Sequence, residues 1–476
     1  MDPRTRQILT APIAPTLLRL AAPNILLMLV QAIMGAVDAF YVGRLGSDAL
    51  AGVALVFPML MLMSAMSTAA LGGGIASAIA RALGRGQPGQ AASLATHALV
   101  ISAVFATLFT ILPLTGGRAL YTAMGGSGST LEAAIEYSTI IFWGAGVVWL
   151  VNSLGSILRG SGQMGVLSAV MIGGEVLHVA CAPLLIFGLG PIPALGIQGA
   201  ALSLIGTLVL RALVLVGYVA TGRSVVRPRL RGVRLEWASC WEILRVGLPA
   251  IVNTTLTNGI VLLPTGLVGT FGTTALAGYS LGVRLEYFLT PVVFGLGAAL
   301  VTMVGMNVGA GQAERARQVA WVGAAIASTT TGSIGLMLAV APRLWLGLFT
   351  ADADVLAAGT AYLRLVGPTY VLFGLGLSLY FASQGAGRLY WPLVGILVRL
   401  SVSAGGGWIA LHWLGAGLAG IFAALATAIV LYGIIIGLAV RLSPWGQTSR
   451  PARPRPDAMV RGDVADQQMA AGGGGA

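Results

Sequence analysis

The chain has 476 residues, of which 57% are hydrophobic and 9% are charged, and its mean hydropathy is +0.89. A soluble domain built around one core does not carry so few charges over such a length, so the composition indicates a polytopic membrane protein. The net charge of +12 comes from 27 basic residues, all of them arginine. They concentrate between apolar segments, where they act as topology signals and lipid contacts rather than as a nucleic-acid surface.

Cysteine and histidine patterns exclude several kinds of chemistry. Cys181 lies in an apolar run and Cys240 in a predicted loop, and this separation suggests neither a disulfide framework nor a thiolate metal site. The three histidines, His97, His178 and His412, fall in different apolar spans without the spacing of metal ligands. Since no nucleophile stands with a base in a recognisable motif, the sequence predicts neither an enzyme nor a resident metal or cofactor.

Apolar segments long enough to cross a bilayer, which takes about 20 residues, recur along the chain. They predict an all-α membrane protein with twelve transmembrane helices. The predicted limits are 16–43, 50–80, 91–115, 133–158, 164–188, 196–220, 241–270, 275–308, 317–341, 355–385, 390–414 and 416–440.

Arginine is concentrated in alternate loops. If the N-terminus is cytoplasmic, the outside loops hold only Arg44, Arg118 and Arg343, and most of the other arginines fall in cytoplasmic segments. The positive-inside rule therefore predicts that both termini are cytoplasmic and that the protein spans a bacterial cytoplasmic (inner) membrane.

The two halves of the sequence resemble each other. The string LLRLAAPNI at 17–25 aligns with ILRVGLPAI at 243–251, and VGRLGSDALAG at 42–52 aligns with VGTFGTTALAG at 268–278. Six helices is an even number, so both halves enter the membrane in the same sense. This predicts two six-helix lobes related by a pseudo-two-fold axis along the membrane normal, with substrate bound between them.

The predicted organisation follows from these patterns. A basic segment that sets topology joins the lobes, and a Pro-Arg and Gly-rich tail is expected to be disordered. The parts are a cytoplasmic N-terminus (1–15), an N-terminal lobe (16–220), a cytoplasmic linker (221–240), a C-terminal lobe (241–442) and a cytoplasmic tail (443–476).

Asp38 is an acid inside the first predicted span, whose only other charge is Arg19 near its start. A charge at membrane depth costs roughly 2.5 to 3.5 kcal/mol on insertion scales, so such a residue is a candidate functional group. Asp38 is therefore a candidate for binding and releasing a proton or a cation. The alternative is that it caps or hydrogen-bonds a neighbouring helix and never titrates.

Several short strings appear in an order and spacing that resemble the multidrug and toxic compound extrusion (MATE) transporters over about residues 16–442. That resemblance implies a monomer in lipid that exports organic cations and drugs without a cofactor, driven by inward movement of H⁺ or Na⁺ through alternating access. The strings are VDAFYVGRLGSDALAG (37–52), GRGQ (84–87), LRGSGQ (158–163), APLLIFG (182–188), GIQGAA (196–201) and GAGQ (309–312).

Within that family the chain looks closer to the DinF-like branch. The resemblance implies that Asp38 matches the helix 1 acid used for coupling and that Pro23 matches a helix 1 proline. The family's Asn and Asp in helix 5 fall on His178 and Ala182, so the second carboxylate is missing, while Asn152 of helix 4 is retained. Pro23 removes one backbone hydrogen bond and is a candidate hinge, with a static kink as the alternative.

The reduced site favours H⁺ as the coupling ion. Sodium takes about five or six hard oxygen ligands, whereas this lobe offers Asp38, Asn152 and some backbone. A proton needs only one basic group. Coupling to Na⁺ stays open as the alternative.

Glu175 shares one helix face with His178, three residues further on. Glu175 is a candidate inner proton station and Asp38 the outer one, with His178 between them as donor, acceptor or relay. Alternatively, Glu175 is neutral and hydrogen-bonded at a helix contact, and His178 is a packed core histidine.

The second half supplies tentative cleft residues. Glu286 would attract a cationic substrate, although it and Arg284 are expected to neutralise each other or nearby arginines. A cleft lined by Arg211, Arg284 and Arg399 would instead indicate a lipid-linked oligosaccharide flippase of the same superfamily. The tentative substrate-binding residues are Met34, Asn253, Thr257, Tyr279, Glu286, Tyr287 and Gln384.

Overall fold

The regular structure is helical throughout the described part of the chain. The computed structural model describes residues 2–188, 193–228, 235–443 and 445. Its helices are α1 (Pro3–Thr10), α2 (Ile13–Gly43), α3 (Ser47–Ala65), α4 (Leu71–Gly84), α5 (Pro88–Ala123), α6 (Gly128–Trp143), α7 (Ala145–Gly160), α8 (Met164–Phe187), α9 (Gly196–Ala220), α10 (Trp237–Gly269), α11 (Thr273–Gly309), α12 (Ala313–Val340), α13 (Arg343–Leu346), α14 (Ala353–Val366), α15 (Tyr370–Ala386), α16 (Tyr390–Leu400), α17 (Gly407–His412) and α18 (Gly417–Leu442).

Eleven helical segments are long and apolar enough to cross a membrane, and α6 with α7, bent by 48° where they meet, makes a twelfth. The predicted all-α class and twelve spans are confirmed. Several boundaries differ from the prediction by four residues or more; for example, α5 continues to Ala123 and α10 begins at Trp237. The prediction that Cys240 lies in a loop is therefore wrong. The first turn of α10 follows Glu236 directly and contains Ser239, so a search based on apolar windows begins this span one turn later.

Three spans contain short irregular turns. A π-helical turn, Met66–Ala70, joins α3 to α4, another, Ser401–Gly406, joins α16 to α17, and a 3₁₀ turn, Gly367–Thr369, joins α14 to α15. By contrast, α2 continues through Pro23 as one helix to Gly43. The hinge assigned to Pro23 stays a prediction.

Helix packing divides the molecule into two six-span lobes. In the N-terminal lobe α8 packs against α9 and α2, α3 against α6, and α5 against α7. In the C-terminal lobe α15 packs against α12 and α11, and α16 against α18. The lobes meet mainly through α2, α4, α10 and α11, the corresponding helices of the two repeated halves.

The lobes touch closely at the arginine-rich ends of their helices. A Cβ atom added at Gly84 would lie 2.1 Å from the carbonyl oxygen of Met306, and one at Gly309 would lie 2.2 Å from that of Arg81. These two glycines begin the repeated strings GRGQ and GAGQ. Glycine at both positions thus lets the backbones of the two lobes approach on this side of the membrane.

The linker and the tail are only partly within the described residues. At the start of the linker, Gln163 Oε1 accepts hydrogen bonds from Ser224 Oγ and from the backbone N–H of Val225, both at 3.2 Å. These contacts hold the first part of the linker against the N-terminal lobe. Residues 229–234 of the linker, together with residue 444 and residues 446–476 of the tail, lie outside the described residues, and so does most of the segment predicted to be disordered.

Candidate functional site

Asp38 and His178 form the most direct polar contact between α2 and α8. His178 Nε2 lies 2.9 Å from Asp38 Oδ1. The His178 side chain is 3% exposed, whereas that of Asp38 is 40% exposed. An ionised carboxylate can only accept a hydrogen bond, so Nε2 is the protonated ring nitrogen when Asp38 is charged. The pair thus combines a ring fixed by packing with a partly exposed carboxylate.

Other N-terminal helices surround this pair. Tyr137 of α6 lies within electrostatic range of Asp38. The second ring nitrogen of His178, Nδ1, lies near the backbone carbonyl of Ser203 in α9 but makes no well-aligned hydrogen bond among the described residues. Ala182, at the position of the missing acid, is 1% exposed. Among described side chains, Asp38 is therefore the carboxylate of this site.

Glu175 is turned away from Asp38 toward a different partner. Its Oε1 lies 3.0 Å from Nη1 of Arg211 in α9, and their side chains are 12% and 5% exposed. Arg211 occupies the space beside Gly174, where an added Cβ would lie 2.0 Å from its Nε. The face of α8 that carries Glu175 and His178 thus makes two separate pairs, one to α9 and one to α2.

The remaining N-terminal residues predicted for this site lie nearby. Asn152 Nδ2 donates to Ser67 Oγ in the π-helical turn at 2.8 Å, and none of the described hydrogen bonds joins it to Asp38. Met34 is half-buried on α2, four residues before Asp38 and hence on the same face.

The C-terminal lobe contains a second buried acid and arginine. Glu286 Oε2 lies 3.5 Å from Nη2 of Arg399, and Tyr362 Oη donates to Glu286 Oε1 at 3.3 Å. The Arg399 guanidinium also lies 5.4 Å from the centre of the Phe373 ring and 5.5 Å from that of Tyr432. Glu286 is thus neutralised by Arg399, one of the arrangements the sequence suggested.

The other tentative residues of this lobe do not form one surface. Tyr279 lines a small cavity with Glu286 and Arg399 inside the lobe. Tyr287 is 59% exposed, and Asn253 is 8% exposed. Thr257 donates to the carbonyl of Asn253 at 2.8 Å within α10. Arg284, the neighbour of Glu286 in sequence, lies 5.8 Å from the centre of the Phe349 ring.

A cavity between the lobes is lined by both halves of the chain. Gln384, a substrate-binding residue predicted from the sequence, lines this cavity. The lining also contains Asn24, Arg159, Phe294 and Phe381, which were not predicted. The arginine in LRGSGQ was interpreted as a topology signal, although RGSG at 159–162 and QGAG at 384–387 end corresponding helices. That correspondence is the signal that would have placed Arg159 opposite Gln384.

Polar contacts between the lobes close the arginine-rich side of this cavity. Glu242 of α10 lies 3.2 Å from Arg85 Nη2 and 3.7 Å from Arg81 Nη2. Ser77 of α4 donates to the backbone carbonyl of Gly385 at 3.0 Å. The cavity is thus separated from the arginine-rich side by ion pairs and hydrogen bonds that join the lobes.

Relatives of this chain are transporters. It is 25% identical over 398 residues to the FAD transporter of Shewanella oneidensis, a match that covers 83% of this chain and 86% of that protein. It is 26% identical over 384 residues to the probable multidrug resistance protein NorM of Thermotoga maritima, a match that covers 79% of this chain and 81% of that protein. An outward-facing solved structure of a multidrug resistance MATE family transporter of the MOP superfamily is similar, with a TM-score of 0.84, 26% identity, and 93% and 98% of the chains covered.

The repeated halves also match one family description. The model described as MatE matches residues 23–184 in the N-terminal lobe and residues 249–409 in the C-terminal lobe. These blocks together make up more than half of the chain, and each covers most of the first five spans of one lobe. The chain therefore belongs to the MATE family.

Proposed function

We propose that this chain exports small amphipathic molecules, organic cations and drugs among them, across a bacterial cytoplasmic membrane in exchange for H⁺ bound at Asp38. As a MATE protein it is a multi-pass membrane transporter and not an enzyme. The observation that carries the proton coupling is the Asp38 carboxylate, which lies inside an apolar span at 2.9 Å from His178. An acid at such depth marks an ion or substrate pathway.

The surroundings of Asp38 support H⁺ rather than Na⁺. Sodium needs several oxygen ligands around it, but one Asp38 oxygen already accepts a hydrogen bond from His178. The position that would supply a second acid is Ala182, and Asn152 is bonded to Ser67. One free carboxylate oxygen is sufficient for a proton.

The arginine-rich side of the molecule is closed by contacts between the lobes, which supports an outward-facing state. The interlobe contacts of Gly84, Gly309 and Glu242 lie at arginine-rich helix ends, and the positive-inside rule assigns those ends to the cytoplasm. Substrate would then leave toward the opposite side. We propose that the chain works as a monomer, with its exposed apolar helix faces in contact with lipid.

The flippase alternative has less support. Arg211 and Arg399, two of the arginines that would have to line a cleft for lipid-linked sugars, are held in buried ion pairs inside separate lobes. Glu175 is needed as the counterion of Arg211, since a buried arginine without one is costly. We therefore assign the coupling proton to Asp38 and a positioning role to Glu175.

Transport in proteoliposomes tests the coupling ion. Ethidium and an anionic dye are tested in parallel vesicle preparations, so the result does not depend on the charge of the substrate. In each preparation the proton gradient and the sodium gradient are collapsed separately. We expect that loss of the proton gradient abolishes uphill transport and that loss of the sodium gradient does not. Asp38→Asn should abolish uphill transport because an amide cannot bind and release the proton.

Glu175→Gln is the companion variant. It should reduce the amount of folded protein while the transport rate per folded molecule stays near that of wild type, because Glu175 stabilises Arg211 and carries no coupling proton. Uphill transport by Asp38→Asn, or transport that stops with the sodium gradient alone, would contradict the proposal.

A further inference from the structure

Arg159, in the last turn of α7, is a partly buried arginine without an acidic partner among the described residues. Other buried arginines have one: Arg211 pairs with Glu175, and Arg399 pairs with Glu286. No described carboxylate lies close enough to Arg159 to act on it electrostatically. Because removing an unpaired charge from water is costly, such a residue marks a site where a substrate or an ion supplies the missing charge.

Most of the hydrogen-bonding capacity of Arg159 is also unused. Its Nη2 donates to Ser156 Oγ at 2.8 Å, which is one bond for a group with five N–H donors. Its own backbone carbonyl accepts from Thr302 of the other lobe at 2.8 Å. Arg159 is thus fixed at the lobe interface while its guanidinium remains free to bind a ligand.

The cavity that Arg159 faces is suited to an aromatic molecule with a negative group. None of the described residues that line it is acidic. The rings of Phe294 and Phe381 line it as an edge-to-face pair with centroids 4.9 Å apart. Asn24, also in the lining, is 2% exposed and its Oδ1 has no hydrogen-bond partner among the described residues.

Two glycines of α4 make room for the polar groups of this cavity. A Cβ atom at Gly72 would lie 2.6 Å from Ser156 Oγ, and one at Gly73 would lie 2.3 Å from Gln384 Nε2. Gln384 in turn donates to the carbonyl of Ala69 at 3.1 Å. The polar groups are therefore held by packing and hydrogen bonds from both lobes.

We propose that Arg159 binds the anionic group of an aromatic substrate at the floor of the interlobe cleft. This inference rests on the proposed export function and names its substrate class, an aromatic phosphate or carboxylate. A guanidinium recognises both groups through two parallel hydrogen bonds. The rings of Phe294 and Phe381 would contact the aromatic body.

Equilibrium binding to the purified full chain in nanodiscs tests this inference without any gradient. The probes are 4-methylumbelliferyl phosphate and its parent 4-methylumbelliferone at mildly acidic pH, which share one ring system and differ in charge. We expect the phosphate ester to bind roughly tenfold to a hundredfold more tightly than the parent, the range for charge-assisted hydrogen bonds. Equal binding of the two dyes would overturn the inference.

Substitutions assign the effect to Arg159. Arg159→Gln should abolish the preference for the ester and leave binding of the neutral parent unchanged, which also shows that the variant is folded. Arg159→Lys should retain part of the preference, because it keeps the charge but loses the planar fork. Arg223→Gln, which removes the same charge from an exposed loop position, is the matched control and should behave like wild type. A preference that survives Arg159→Gln would overturn the inference.

A lipid arm separates a small-molecule anion from a phospholipid headgroup. Nanodiscs of phosphatidylcholine alone are compared with nanodiscs that contain phosphatidylglycerol. We expect the same ester affinity in both. If phosphatidylglycerol displaces the ester from wild type, the anion is a lipid headgroup and the substrate class proposed here is wrong. Because binding needs no gradient, this inference and the proposed function can fail separately. If ethidium transport is driven by protons but the ester does not bind, only this inference is wrong. If the ester binds but transport is not coupled to protons, only the proposed function is wrong.

Discussion

At the scale of single residues, one hydrogen bond defines the proposed coupling site. His178 Nε2 lies 2.9 Å from Asp38 Oδ1, and the histidine ring is buried while the carboxylate is partly exposed. A donor fixed on one oxygen orients the carboxylate and leaves its second oxygen for a proton. We propose that His178 is a positioning donor, a role that makes a different prediction from that of a proton relay.

Replacing His178 separates the two roles. His178→Gln keeps an N–H donor near the place of Nε2, and we expect proton-driven transport to stay within about threefold of wild type, as for a retained hydrogen bond. His178→Leu removes the donor and should lower the initial rate roughly tenfold or more, because hydrogen bonds to charged groups contribute about 1.5–3 kcal/mol. Initial rates of dye transport in proteoliposomes with matched protein content measure both.

The amide variant is the decisive one, since glutamine cannot titrate. If His178→Gln lost transport as completely as His178→Leu, the histidine would itself have to carry a proton. Binding of the neutral dye 4-methylumbelliferone to both variants controls for folding.

The sequence singled out some residues of these sites and not others, for a physical reason. Asp38 stood out because an acid in an apolar span is unusual, and His178 because it replaces a polar residue of the family. Arg159 could not be separated from the topology arginines, because hydropathy gives the depth of a residue but not the direction in which its side chain points. The pairing of Glu175 with Arg211 depends on how α8 and α9 are rotated about their own axes, and no pattern in a single sequence reveals that rotation.

At the scale of helices, the contact between α8 and α9 depends on a glycine, Gly174, which leaves room for the Arg211 side chain. Gly174→Ala would place a Cβ 2.0 Å from Arg211 Nε and 2.6 Å from its Cγ, so the arginine must move away from Glu175. We expect a loss of about 1–3 kcal/mol in stability, the usual cost of overpacking a buried contact. Thermal unfolding of the detergent-solubilised protein, at one fixed scan rate, measures it.

Gly173→Ala is the matched control on the same helix. Its added Cβ would meet no atom within 4 Å, and alanine is favoured over glycine in a helix by about 0.5–1 kcal/mol. We therefore expect an unchanged or slightly higher unfolding temperature. Equal effects of the two substitutions would show that the space beside Gly174 is not what holds Arg211 in place.

Helix positions were predictable where hydropathy decides them and less so where packing does. All twelve spans follow from apolar length, but the bend between α6 and α7 does not. At this bend, a Cβ on Gly144 would lie 2.4 Å from Ile205 Cδ1, so the bend occurs where α9 passes close to α6. Such a contact between distant segments has no local sequence signal.

At the scale of the whole molecule, substrate charge decides how much work one proton can do. One elementary charge moving through 100 mV corresponds to about 2.3 kcal/mol. A monovalent cation exported in exchange for one proton moves no net charge, so voltage does not drive it. A monovalent anion exported in exchange for one proton moves two charges in the favourable direction. Substrates bound at Arg159 would therefore be exported with a single coupling group such as Asp38, without a second proton at Glu175.

The two lobes must separate on the arginine-rich side for substrate to enter, and Glu242 opposes that separation. It lies between Arg85 at 3.2 Å and Arg81 at 3.7 Å, and its side chain is 15% exposed. Glu242→Gln leaves both arginines without their acid, at a cost of roughly 1–3 kcal/mol once solvent screening is allowed for. Since 1.4 kcal/mol is about tenfold in an equilibrium constant, we expect the ratio of open to closed molecules on this side to rise by roughly fivefold to a hundredfold.

Spin labels at Gly89→Cys and Gln312→Cys, in a background with Cys181→Ser and Cys240→Ser, report the lobe separation by pulsed electron resonance. Glu132→Gln is the matched control, because its pair with Arg118 lies within one lobe and is 58–65% exposed. A distance distribution that Glu242→Gln leaves as narrow as that control would show that backbone contacts at Gly84 and Gly309, rather than this ion pair, keep the lobes closed.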